Sequence, residues 1–221
     1  MKALTPPQSG KLGDTVSFKN RYGQIERAHT IPTNRGTAGQ QRARSDFGRF
    51  SAYWRMLTEE QRQAWNAAAR RVSSRPRLGQ SGPLTGCAYF VQINCNLASI
   101  GLPMVLMPPE RPRFSRSPVG ALVITNNGGE VSLKLAVAGT PDQHIIVFGA
   151  APCSAGISYV DHFTVLGLLP APVAGFSNIT ALYVARYGVP PADSKVFVRT
   201  VQQINGWRDL PRQTAAVVPA P

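Results

Sequence analysis

Three histidines and three cysteines are the side chains best suited to hold a metal or act as nucleophiles, and their spacing gives them little to work with. His29, His144 and His162 lie in three separate stretches, and none belongs to an H-E-x-x-H or comparable ligand pair. His144 and His162 fall in alternating stretches and read as partly exposed strand residues. Cys87 and Cys95 are eight apart in an apolar run and read as small core residues. With Cys153 they form an odd set without a C-x-x-C pair, which argues against a disulfide scaffold or a cysteine zinc site and fits a reducing compartment. Spacing alone leaves a Cys/His nucleophile pair open. No P-loop, G-x-G-x-x-G or G-x-S-x-G occurs, and only five acids lie beyond residue 118 to supply a carboxylate pair. No catalytic residue, cofactor or metal site is assigned, and an enzyme is the least favoured class.

Charge is the stronger signal. The 221 residues carry 24 Lys+Arg against 11 Asp+Glu, a net charge of +13. Residues 1–118 hold 18 of those bases and six of the acids, so almost all the excess sits in the first half. Arg outnumbers Lys 19 to 5, and Arg offers a planar fork for phosphate or carboxylate. Nucleic acid or acidic protein surfaces are the partners such a half would meet; a GC-rich genome and a solvated basic face would give the same composition. Lys11, Lys19, Arg21, Arg35, Arg75 and Arg77, on arms and loops, are the candidate contacts, with Arg42 and Arg49 beside a helical seam.

The elements that position these residues follow from period and punctuation. Residues 1–13 read as an extended arm. Residues 14–31 read as a hairpin, with Val16 and Phe18 alternating, a turn at Tyr22-Gly23, and Ile25 opening the return strand. From Thr37, Ala43, Phe47, Phe50, Trp54 and Leu57 form a helical seam. Thr58 and Gln61 make a capping box for a second helix to about Arg71, with Trp65, Ala68 and Val72 buried. A basic loop covers 73–82. A third helix starts near Thr85 with a Gly86, Phe90, Ile93, Leu97, Ile100 seam, and Gly101 and Pro103 end it. Trp54 and Trp65, near Arg55 and Arg62, would suit a stacking platform for single-stranded nucleic acid, but their seam positions favour the core.

Five prolines make 102–118 an extended linker. Beyond it the period is two. Strands are expected at 121–125, 130–137, 143–150, 162–168, 180–187 and 195–202, the first two joined by Asn126-Asn127-Gly128-Gly129. The fold class expected is α+β in two modules: a basic hairpin-plus-helical module over 14–101, and an immunoglobulin or fibronectin III-like β-sandwich over 119–211, with a tail at 212–221. Residues 1–101 and 119–221 are expected to fold as separate units. No transmembrane run and no cleaved secretory signal is read.

One resemblance adds to this. It rests on Gly10-Lys11-Leu12-Gly13, Val16, Gly23, Arg27 and Thr37-Ala38-Gly39-Gln40-Gln41-Arg42, continuing through Phe47, Trp54-Arg55, Leu57-Thr58, Gln61-Arg62 and Ala64-Trp65. Gly82-Pro83-Leu84-Thr85-Gly86, Tyr89-Phe90 and Asn94-Cys95-Asn96 complete it. Over about residues 10–100 the chain resembles small, largely uncharacterised proteins encoded among tailed-phage and prophage structural genes, in which such a segment precedes an immunoglobulin-like domain. The resemblance implies a virion or assembly component, put together in the host cytoplasm, and carries over no catalytic residue. A capsid-, neck- or tail-associated adaptor, homo-oligomeric or bound to other virion subunits and not to a membrane, is the function expected. A nucleic-acid-binding protein using the basic half is the alternative.

Overall fold

The structure, a computed structural model, describes residues 9–20, 23–31, 36–74, 81–139, 141 and 143–220. The hairpin expected in the first 31 residues is present with an added strand. β1 (Gly10–Leu12), β2 (Thr15–Asn20) and β3 (Gly23–Ala28) form an antiparallel sheet in that order. β1 comes from the stretch read as an arm: Gly13, in the left-handed region at φ 57°, lets the chain reverse into β2. Tyr22, half of the expected turn, lies outside the described residues. No residue of this sheet belongs to either hydrophobic core, and Leu12 is 77% exposed.

Three helices follow: α1 (Ala38–Met56), α2 (Glu59–Ala69) and α3 (Gly86–Ala98). Each starts at a threonine whose hydroxyl accepts a backbone N–H. Thr37 takes Gln40 at 3.4 Å, Thr58 takes Gln61 at 3.2 Å and Thr85 takes Ala88 at 3.2 Å. In the first two the glutamine side chain reaches back, completing a capping box. Trp65 is fully buried, edge-on to Tyr89 at 5.2 Å and to Phe90 at 5.3 Å, and Trp54 packs on Phe90 at 5.8 Å. Both tryptophans are core residues. The α1 seam is shorter than its periodicity suggests: Phe50 and Leu57 are buried, but Ala43 is exposed and Phe47 is 61% exposed. α1 has 19 residues and α3 has 13. At 1.5 Å per residue, about 9 Å of α1 therefore runs past its partner.

Residues 102–118 contain no helix or strand up to Pro118, as five prolines demand, yet this segment is held down. The fully buried Asn94 of α3 acts as a substitute strand. Its amide accepts from the Val105 N–H at 2.8 Å and donates to the Val105 carbonyl at 3.2 Å. The Trp65 indole donates to the Leu106 carbonyl at 2.7 Å, and Leu102, Met104 and Val105 pack against the helical core.

The second half begins with β4 (Val119–Asn127) and β5 (Glu130–Val137), closed by the expected Asn-Asn-Gly-Gly turn. There the Gly129 N–H donates to Asn126 Oδ1 at 3.0 Å. β6 (His144–Gly149), β7 (Cys153–Ser154), β8 (Thr164–Leu168) and β9 (Phe176–Asn178) follow. Next come α4 (Thr180–Tyr187), β10 (Ser194–Ile204), β11 (Trp207–Arg208) and β12 (Arg212–Val217). One sheet runs β4-β5-β9. The other runs β11-β10-β6-β8, with β12 and β7 also pairing with β10. Leu122, Leu133 and Leu135 of the first sheet share a core with Ile145, Val147, Val196 and Val198 of the second. The chain is thus mixed α+β, its described strand pairs all antiparallel.

Two expectations are corrected here. Residues 180–187, read as a strand, are helix α4. Aromatic and β-branched residues imitated a strand, while Ile179 at the N-cap offers no capping side chain. The helix is fixed by long-range bonds instead. Tyr183 donates to the Ala150 carbonyl at 2.8 Å, Tyr187 to the Gly149 carbonyl at 2.9 Å, and Thr180 Oγ1 accepts from the Leu133 N–H at 2.8 Å. Residues 212–221 are not a tail. β12 pairs with Lys195–Thr200 of β10, and Val218 is fully buried. Flanking prolines and small side chains hid this strand, whose partner is the most enclosed strand of the sheet.

Candidate interaction site at the junction of the two halves

The eight basic residues singled out by sequence do not converge on one patch. Lys11 on β1 and Lys19 on β2 are exposed on the N-terminal sheet. Arg42 and Arg49 on α1 are partly spent within the molecule. Arg42 donates to the Ala98 carbonyl at 3.4 Å; Arg49 pairs with Asp46 at 3.3 Å and lies 4.5 Å over the Phe50 ring. Arg21, Arg35, Arg75 and Arg77 lie outside the described residues. Among the described residues Arg49 pairs with Asp46 and Arg62 with Glu59.

The histidines and cysteines are no better gathered. Among the described residues no group of three or more His, Cys, Asp or Glu is placed to hold a metal ion. Burial pushes the Cys87 and Cys95 thiols up, Cys95 further by nearby Asp46, which leaves both poor nucleophiles at neutral pH. No helix among the described residues is long and apolar enough to cross a membrane.

Sequence reasoning missed the place where side chains do converge. β10 and β11 are joined by Asn205-Gly206, with φ of 48° and 83°, a left-handed pair that makes a tight hairpin turn. This N-G signal was the available clue. The turn docks on α3: Asn96 Nδ2 donates to the Gly206 carbonyl at 2.8 Å, and Gln203 Nε2 donates to the Asn96 carbonyl at 2.9 Å. A Cβ on Gly206 would sit 2.8 Å from the Ile93 carbonyl oxygen, so only glycine allows this approach. Trp207 packs edge-on to Tyr89 at 5.6 Å, and its indole donates to the Pro109 carbonyl at 3.5 Å. Residues of all three parts, α3, the Pro-rich segment and the β10–β11 hairpin, therefore meet here.

They enclose an open cleft of about 980 Å³, lined by Gln92 and Asn96 of α3, Arg111 and Phe114 of the Pro-rich segment, and Trp207 and Arg208 of β11. The Arg111 guanidinium lies 5.6 Å over the Trp207 ring. Arg208 donates through Nε to Gln203 Oε1 at 2.9 Å and through Nη2 to Ser99 Oγ at 2.7 Å. Burial of its guanidinium lowers its pKa from the ordinary value. Tyr89, buried behind Trp207, has its pKa pushed up to about 12 by desolvation, against a smaller opposing pull from Arg111. Ser74, at the cleft edge, opens the basic loop and accepts the Gly82 N–H at 3.2 Å.

No family model, no curated protein and no solved structure matches this chain.

Proposed function

We propose that this protein is a non-enzymatic structural component of a phage-like virion, an adaptor or decoration subunit that grips acidic neighbouring subunits with its basic half. One observation carries the reading: the β1-β2-β3 sheet and the first turns of α1 lie outside both hydrophobic cores. Leu12 of the sheet and Phe47 of α1 are 77% and 61% exposed. A three-stranded sheet without a core of its own is marginal in water, and packing against another chain is what completes it. The resemblance of residues 10–100 to phage structural-gene products supplies the particle. We read the second half as immunoglobulin-like, because two antiparallel sheets share one core, with α4 as a departure from that layout.

The excess of 24 Lys+Arg over 11 Asp+Glu favours a second reading, a nucleic-acid-binding protein. Light scattering on the purified chain separates the two. An assembly subunit forms a defined oligomer or joins a larger complex. A protein that stays monomeric at high concentration and holds DNA at physiological salt is a nucleic-acid binder instead.

A further inference from the structure

The junction cleft holds two guanidiniums without an anionic partner. Arg208 is held by neutral groups only, the Gln203 amide oxygen and the Ser99 hydroxyl. Arg111 lies over an indole. Neither makes an ion pair with a described residue, and Asp209, which lines the same cleft, pairs with neither. Both arginines are exposed to solvent, so a carboxylate can reach each of them and offer two matching acceptors. Beside these cations the lining is mixed, with apolar Phe114, Trp207, Pro112 and Pro211 and polar Gln92 and Asn96.

We propose that this cleft binds an acidic, extended peptide segment of a partner protein, its carboxylates received by Arg111 and Arg208 and its apolar neighbours by Trp207 and Phe114. The volume, about 980 Å³, is at the upper end for small-molecule pockets of about 300–1,000 Å³, and the cleft is open, which suits a chain passing through. Nucleic acid fits it less well. The Trp207 ring is engaged by Tyr89 at its side and by Arg111 over one face, which leaves less of it for a stacked base. Because the walls come from both halves of the chain, an occupied cleft also ties α3 to β11. The site is separate from the exposed sheet and α1 turns on which the assembly reading rests, so the two fail independently: oligomeric mass tests one, peptide binding the other.

The test uses the full-length protein and two fluorescent probes, a hexaglutamate peptide and a twelve-nucleotide oligo-dT, titrated by anisotropy at about 0.15 M salt, where diffuse attraction is screened beyond about 8 Å. Saturable peptide binding is expected, weakened about ten-fold by Arg111→Gln and by Arg208→Gln, as loss of one charge-assisted contact implies. Arg70→Gln, on the exposed end of α2, leaves it unchanged. Arg208 also braces the junction, whereas Arg111 makes no hydrogen bond there, so Arg111→Gln decides the matter if Arg208→Gln loosens the fold. Absence of saturable peptide binding overturns the proposal. So does an equal loss with Arg70→Gln, which signals diffuse attraction, and so does tight oligo-dT binding that Arg111→Gln abolishes.

Discussion

Replacing Asn94 by leucine tests whether the Pro-rich segment is clamped to α3. The buried amide makes three bonds: to the Phe90 carbonyl at 3.1 Å, to the Val105 carbonyl at 3.2 Å, and from the Val105 N–H at 2.8 Å. Asn94→Leu keeps a side chain of similar length and removes all three. The Phe90 carbonyl keeps its helical partner, so the cost falls on Val105, whose N–H and C=O are left unpaired at about 1–3 kcal/mol each when buried. Val105 is half-buried, which takes both to the lower end, about 2–4 kcal/mol together. Added apolar contact returns about 1 kcal/mol, leaving a net loss of about 1–3 kcal/mol. Urea unfolding followed by tryptophan fluorescence reads it, since Trp65 bonds the adjacent Leu106 carbonyl. Tryptic cleavage after Arg113 and Arg116 should accelerate in parallel. Asn94→Asp sharpens the test. It turns an oxygen toward two carbonyls, so the introduced carboxyl has a folded pKa above its unfolded value. Stability is then retained below the unfolded value and lost as pH rises through the folded one. A loss under about 0.5 kcal/mol for Asn94→Leu, the scale of an ordinary surface change, with unchanged cleavage, would refute the clamp.

Gly206→Ala should cost about 2–4 kcal/mol, combining strain at φ 83° with a Cβ 2.8 Å from the Ile93 carbonyl oxygen. Calorimetry should show the two halves melting more independently as the hairpin lifts from α3. Alkaline destabilisation should set in as Tyr89 titrates. Its folded pKa is raised to about 12 from an ordinary 10, so its contribution is complete below pH 10 and is lost as pH rises toward 12. Tyr89→Phe should flatten that loss in pH-dependent melting curves.

Local chemistry was legible in the sequence, and non-local chemistry was not. The helices after Thr37 and near Thr85 were legible from their apolar seams, and Thr58 announced its helix because its cap is complete within four residues. Asn126 to Gly129 announced a hairpin for the same reason. α4 escaped because its anchors, Gly149 and Ala150, are more than 30 residues away. β12 escaped because its pattern of small residues makes sense only beside β10. Phe47 was placed in a core because periodicity shows which face of a helix is apolar, not how far the partner helix extends. The candidate contacts were chosen for charge on loops, so Arg111 and Arg208, brought together by a turn docking on α3, went unnoticed. Asn94 looked like one polar residue in an apolar helix, and its role appears only once Val105 lies against it.

The virion reading has one direct test: quantitative mass spectrometry of purified phage-like particles from cells that carry this gene among its natural neighbours. A structural subunit is present in every particle at a fixed ratio to the shell protein, and survives washing at high salt if apolar contacts through Leu12 and Phe47 help to hold it. Particles that form with normal mass and lack the chain, while the soluble fraction retains it as a monomer, would contradict the proposed function.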